Sequence, residues 1–243
     1  MRKIEVCCIS ANDVLEARKG GAIRVELCTA ISSGGVTPSI GLVRSAVKAA
    51  DGGLLVTVLI SPREGGFCDD ESEIRTMLED IQACRSAGAD GVVIGALTPD
   101  GDIDMEACRR MMDAASGMNV TFHRAFDVCR EPEKALEQII ELGCDHLLTS
   151  GQRPSALEGS ALIADLVRQA AGRITIMPGS GVNPGNIAEI ESLTSASEFH
   201  STARDLVPDS SLRHVPELGF DEVSKVPGMV LRTSSEVVRS LVD

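Results

Sequence analysis

The chain is built on one repeated unit: a short apolar stretch, polar or charged residues at its end, then an amphipathic stretch closed by glycine. Three closures read Gly21-Ala22, Gly88-Ala89-Asp90 and Gly143-Cys144-Asp145, and the next apolar stretch starts at once. Glycine just past a helix end takes the left-handed conformation without strain. Short returns paired with long outgoing loops are the mark of parallel β/α units. The apolar stretches predict strands over Lys3–Cys7, Arg24–Leu27, Leu54–Ile60, Gly91–Ile94, Asn119–Phe122, His146–Leu148, Ile174–Met177 and Glu198–His200. Helices are expected near 12–19, 41–50, 71–87, 104–115, 132–142, 156–171, 184–193 and 234–242. Eight units of about 30 residues fit a single-domain (β/α)8 TIM barrel over residues 1–243. A doubly wound sheet is the alternative, but Cys7-Cys8-Ile9-Ser10-Ala11-Asn12 is no phosphate fingerprint after a first strand, and no nucleotide cofactor is predicted. Residues 202–225 are long for a loop and read as an irregular segment suited to an interface or a lid.

A net charge of -13 repels phosphate backbones and anionic membranes, which argues against nucleic acid and membrane partners. Five Phe without Trp or Tyr leave no stacking platform for single-stranded nucleic acid. Arg2-Lys3 leads directly into a strand containing Glu5, so no secretory signal is expected and the protein reads as cytoplasmic. Eight cysteines without a C-x-x-C spacing suit reduced thiols, with Cys84, Cys108 and Cys144 as packing residues.

In a barrel, function belongs at the C-terminal ends of the strands. Ile4-Glu5-Val6-Cys7 and Val25-Glu26-Leu27-Cys28 repeat one phrase on adjacent strands. Each Glu shares a face with its Cys, and the two thiols are candidates to grip one soft ion such as Cu(I). Barrel stagger can offset them by a residue. Glu5 and Glu26 are candidate acid and base, with Arg63, Arg124 or Arg204 as their expected partners. His123 and His200 end strands on opposite sides, and Asp127 is expected to orient a catalytic imidazole. His146 is expected at the opposite end and His214 on the surface. Gly179-Ser180-Gly181 precedes a helix read with Asn183 as N-cap and Pro184 at N1, a geometry that binds anions. Ser150, Ser201 and Arg204 are expected to add donors for a small anionic or phosphorylated metabolite.

These stretches, in this order, resemble the CutC family, named for copper homeostasis. The matching blocks include Glu5-Val6-Cys7, Arg24 to Cys28, Ser33 to Ser39, Gly88 to Gly101, Thr121 to Asp127, Leu148 to Gln152, Ser155 to Gly159, Ile176 to Gly179 and Glu198 to Arg204. The resemblance implies a TIM barrel, a cytoplasmic homo-oligomer (dimer or tetramer) and a copper-linked role, with the family's Cu(I) thiols on Cys7 and Cys28. The chain departs from the family pattern at Ser61-Pro62-Arg63-Glu64-Gly65-Gly66, which lacks one arginine and the aspartate, and at Ser180, where a third glycine is common.

Overall fold

The computed structural model describes residues 1–218 and 226–243. The strands are β1 (Lys3–Cys8), β2 (Arg24–Leu27), β3 (Leu55–Leu59), β4 (Gly91–Ile94), β5 (Asn119–Phe122), β6 (His146–Thr149), β7 (Thr175–Pro178) and β8 (Glu198–Ser201). They alternate with α1 (Ala11–Gly20), α2 (Ile40–Ala50), α3 (Glu71–Ser86), α4 (Met105–Ala114), α5 (Pro132–Leu142), α6 (Ser160–Ala170) and α7 (Ile187–Thr194). Side-chain capping sets the starts of α1 and α3: Ser10 accepts from Asp13 N, and Asp70 forms a reciprocal box with Glu73.

All eight strands pair in parallel, in the order β7-β6-β5-β4-β3-β2-β1-β8. Sequential strands are neighbours throughout, which is a barrel; a doubly wound sheet reverses its strand order partway. Among the described residues no ladder joins β7 to β8, so the barrel carries a seam there.

Side chains alternate across each strand. Ile4, Val6, Val25, Leu27, Val56, Val58, Val92, Ile94, Phe122, Leu147 and Phe199 face outward into the main apolar core under the helices. The inward set is different in kind. Glu5, Arg24, Glu26, His123, Glu198 and His200 are buried there, accompanied by a small apolar cluster of Cys7, Cys28, Leu59 and Val93 and by Leu148 and Met177. Barrel interiors are ordinarily filled by branched apolar residues. Here charge fills the interior, and glycine makes room for it. A Cβ on Gly95 would lie 2.6 Å from Cε1 of His123, and one on Gly179 would lie 2.5 Å from Cδ1 of Leu148.

Three expectations are corrected. The segment after β8 is not wholly irregular: β9 (Arg204–Pro208) pairs antiparallel with β10 (Met229–Thr233), and residues 219–225 lie outside the described residues. Ser234 caps α8 (Ser235–Val242), which packs on α1 and β1. The seventh helix starts at Ile187, not Pro184. Asn183 Oδ1 accepts from Gly185 N while Asn186 Oδ1 accepts from Asn183 N, so the two amides lock a separate turn first. The sixth helix likewise starts four residues late, after a turn in which Ser155 Oγ accepts from Glu158 N.

Candidate functional site

A cavity of about 400 Å3 opens at the C-terminal ends of the strands. Cys7, Glu26, Cys28, His123, Arg124 and His200 line it, together with the loop Ser180 to Asn183. The two thiols come from adjacent strands but not from equivalent positions. Cys7 stands opposite Glu26 in the β1/β2 ladder, two residues before Cys28. The stagger still brings Cys7 Sγ to 3.5 Å from Cys28 Sγ. That hydrogen bond, and then burial, pushes the Cys7 thiol well above its usual range.

The acid–base groups form one chain. His200 Nδ1 lies 2.8 Å from Glu5 Oε1, and His200 Nε2 lies 3.4 Å from Glu26 Oε2. Burial pushes the Glu5 carboxyl up, but the His200 hydrogen bond and the Arg24 charge outweigh it and hold the group at about 2. Glu26 has no such partner, and burial raises it to about 7. Burial pulls His200 down, yet the hydrogen bond with Glu5 and the charges of Glu26 and Glu5 raise it overall. Two buried carboxyls with opposite shifts, joined by an imidazole, have the electrostatics of an acid–base pair.

The partner of these carboxylates is Arg24, not Arg63, Arg124 or Arg204. Arg24 Nε donates to Glu5, and its Nη2 donates to Glu198 at 3.1 Å. Arg63 turns away from the cavity to pair with Glu73 and Asp69 on the outer side. Arg204 sits on β9 with Nε and Nη2 buried and, among the described residues, without a hydrogen-bond partner, and it does not line the cavity. Arg124 does line it, while pairing with Asp127 at 2.7 Å and with Ser150 Oγ at 3.0 Å.

Asp127 does not orient His123. Its carboxylate accepts from Thr149 Oγ1, from Ser150 N and Oγ and from Gln152 N, so it ties the β6 loop down. His123 Nδ1 accepts from Ala125 N, and burial lowers the imidazole to about 4. His123 is therefore a neutral ring tilted against Phe67, with centroids 5.1 Å apart and planes at 47°. Ser150 is engaged with Asp127 and the Arg153 carbonyl, and Ser201 Oγ donates to Val182 O. Ser180 and Gly181 both take positive φ, 75° and 77°, which turns their loop over the cavity.

His146 is at the lower end as expected, but it is not idle. Its Nε2 lies 3.3 Å from Glu198 Oε2 and 3.2 Å from Arg24 Nη1. Glu198, hydrogen-bonded by His146 and attracted by Arg24, is held at about 2. Sequence reasoning missed Arg24, Glu198 and His146 as a layer, although Arg24 shares the face of Glu26 and Glu198 that of His200. His214 is exposed, and Cys84, Cys108 and Cys144 are buried packing residues.

Fold and site together define a (β/α)8-barrel protein with a polar interior, whose mouth combines paired thiols with a carboxylate–imidazole–carboxylate chain. The chain belongs to the CutC family, whose profile matches residues 2–205. It is 53% identical over 206 residues to a CutC family protein of Parabacteroides distasonis, covering 85% of this chain and 84% of the relative. It is 45% identical over 246 residues to one from Chromobacterium violaceum, covering 98% and 96%. The structure described as the copper homeostasis protein CutC of Streptococcus agalactiae superposes with a TM-score of 0.80 at 34% identity, covering 83% of this chain and 99% of that one. A thiamine phosphate pyrophosphorylase from Pyrococcus furiosus shares the fold alone, with a TM-score of 0.59 at 14% identity. Among the described residues no helix is long and apolar enough to cross a membrane.

Proposed function

We propose that this copper-homeostasis family member binds Cu(I) through Cys7 and Cys28 at the barrel mouth, with the ion as cargo. The observation that carries the reading is the 3.5 Å separation of two free sulfurs in the wall of an open cavity. Two thiolates suit a soft monovalent ion. Each thiol gives up its proton on binding, and Glu26 and His200 stand beside them to receive one. An anaerobic Cu(I) competition titration of the wild type against the Cys7→Ser/Cys28→Ser double variant tests this. One tight equivalent that vanishes in the double variant is expected; binding that survives there defeats the reading.

A second reading, favoured by the opposite shifts of Glu5 and Glu26 around His200, is acid–base catalysis on a small anionic metabolite. Glu26 and His200 would exchange the proton, and Arg124 with the Ser180–Gly181 loop would face the anion. Ser201 lines the cavity wall, and Asp127, Ser150 and Arg63 would support the mouth from outside it. Phosphate affinity, measured by calorimetry, is expected to fall in Arg124→Ala and to stay unchanged in Arg204→Ala. Equal affinity in both removes the support for this reading.

The proposal also places the protein in the cytoplasm as a single-domain homo-oligomer. Leu206 and Val207, exposed on the β9–β10 ribbon, support assembly through that face. Light scattering of Leu206→Glu/Val207→Glu is expected to show smaller particles than the wild type.

A further inference from the structure

Three side chains in the cavity wall converge on one point. Cys7 Sγ, a carboxylate oxygen of Glu26 and a ring nitrogen of His200 all lie within 4.8 Å of one another. The nitrogen facing Glu26 is Nε2, 3.4 Å from Oε2. Zinc bonds of about 2.0–2.1 Å to nitrogen and about 2.0–2.2 Å to oxygen, opened at the tetrahedral angle, separate those two atoms by about 3.4 Å. The same distance is long for a hydrogen bond. That edge therefore has the length a shared metal ion requires.

The far side of the ring supplies an independent observation. His200 Nδ1 is 2.8 Å from Glu5 Oε1. An ionised carboxylate only accepts, so the neutral ring carries its proton on Nδ1 and turns the Nε2 lone pair toward Glu26 and Cys7. Metal-binding histidines characteristically give their other N–H to a carboxylate, which fixes the ring and raises its basicity. Glu5 is in turn held by the buried guanidinium of Arg24.

The donor set discriminates between ions. Calcium and magnesium take oxygen ligands, and one thiolate with one imidazole excludes them. A linear two-thiolate ion with bonds of about 2.3 Å separates its sulfurs by about 4.6 Å, whereas a tetrahedral one separates them by about 3.8 Å. The observed 3.5 Å is shorter than either and is the spacing of a thiol hydrogen-bonded to its neighbour, so one of the two sulfurs is left to serve as a ligand. Zinc accepts thiolate, imidazole and carboxylate together and, in sites that are not closed, leaves its fourth position to water or a ligand oxygen.

We propose that Cys7, Glu26 and His200 bind a divalent zinc-class cation, with Glu5 orienting His200 and the fourth position open to the cavity. Once Cys7 has given up its proton to the ion, Cys28 keeps its own S–H, turns it to the Cys7 sulfur 3.5 Å away and is not itself a ligand. The inference rests on the reading that this cavity is a metal site, and gives a divalent ion its own ligand set, sharing Cys7 with the Cu(I) pair.

The test uses the full-length chain, treated with chelator under reducing conditions and titrated with Co2+ as the spectroscopic stand-in for zinc. One equivalent is expected to give the intense visible absorption of a four-coordinate ion and a sulfur-to-cobalt charge-transfer band, both erased by one equivalent of Zn2+. Cys28→Ser is expected to keep both signals and Cys7→Ser to lose the charge-transfer band. Glu26→Gln and His200→Gln are expected to lose the four-coordinate spectrum. Glu5→Gln is expected to weaken Co2+ binding about 10–100-fold. Thermal melting of each variant checks that it folds, and Cys7→Ser, a near-isosteric change, keeps the test decisive if a network variant does not. A weak six-coordinate spectrum, or one indifferent to Glu26→Gln and His200→Gln, overturns the proposal. If Cu(I) still binds through Cys7 and Cys28 while Co2+ gives no such spectrum, the two-thiol reading stands and this inference falls. If neither ion binds, both fall.

Discussion

Glu26→Gln should make the protein more stable, and only at alkaline pH. Glu26 is buried in the cavity wall, and burial raises its carboxyl from 4.5 to about 7. A carboxyl raised on folding favours the protonated native state. Its contribution is fully present below the unfolded value of 4.5 and is lost as pH rises through about 7. Above that pH the native state carries an ionised, desolvated carboxylate at a cost of about 3 kcal/mol, from about 1.4 kcal/mol for each pH unit of separation. Glutamine keeps the shape and the polar atoms but cannot ionise. For a chain of this size 1 kcal/mol moves Tm by roughly 2–4 °C, so the variant should melt roughly 6–12 °C above wild type at pH 8.5. At pH 4.5 the two should melt together. The assay is calorimetric or fluorescence-dye melting in chelating buffer at both pH values, so that no cation substitutes for the proton. Equal melting at pH 8.5, or a less stable variant, would mean that Glu26 is not a desolvated charge and would refute the reasoning.

Arg24→Met removes the cation shared by Glu5 and Glu198 and should cost about 3–5 kcal/mol in urea unfolding at pH 7, because among the described residues it leaves Glu5 with His200 alone and Glu198 with His146 and Lys3. Gly95→Ala places a methyl 2.6 Å from the His123 ring, so it should cost about 1–3 kcal/mol and shift the His123 imidazole resonances. Asp127→Ala leaves the amides of Ser150 and Gln152 unmatched and should cost about 1–3 kcal/mol for each. It should leave the His123 titration, followed by NMR, where it was, since no bond joins the two; a moved titration would restore Asp127 as its orienting group.

The fold was legible because its signals are local. Glycine after Lys19, Ala87 and Leu142, followed at once by apolar runs, marks helix ends and strand starts whatever surrounds them. The thiol pair was legible as a repeated phrase, Glu-x-Cys on two adjacent strands. The partners of the carboxylates were not, because that question is one of depth in the barrel. Looking only at strand ends selected Arg63, Arg124 and Arg204, yet Glu5 lies a layer below the mouth and finds Arg24 opposite it in the ladder. Counting back two residues from Glu26 reaches Arg24 on the same face, so the signal was present in the alternation. Asp127 misled for a related reason. Four residues after His123 the chain has already turned through Arg124–Val128, and the carboxylate reaches the β6 loop instead.

Charge balance explains why the thiol reading and the acid–base reading meet on one residue. Among the described residues three carboxylates, Glu5, Glu26 and Glu198, face the barrel interior around one guanidinium, Arg24, with Lys3 reaching Glu198 from the lower end. Arg24 is committed to Glu5 and Glu198; the hydrogen bonds from His200 to Glu5 and from His146 to Glu198, with the Arg24 charge behind them, outweigh burial and hold both carboxyls at about 2. Glu26 receives no arginine, only the far nitrogen of His200 at 3.4 Å. A buried carboxylate without a partner is costly, which favours one more positive charge beside Glu26: a proton on the carboxyl, a proton on His200, or a cation bound from outside. The Cys7 sulfur lies within the same 4.8 Å sphere, and it too is costly as an anion there. A single divalent ion would satisfy the carboxylate and the thiolate together, whereas a proton satisfies only one of them.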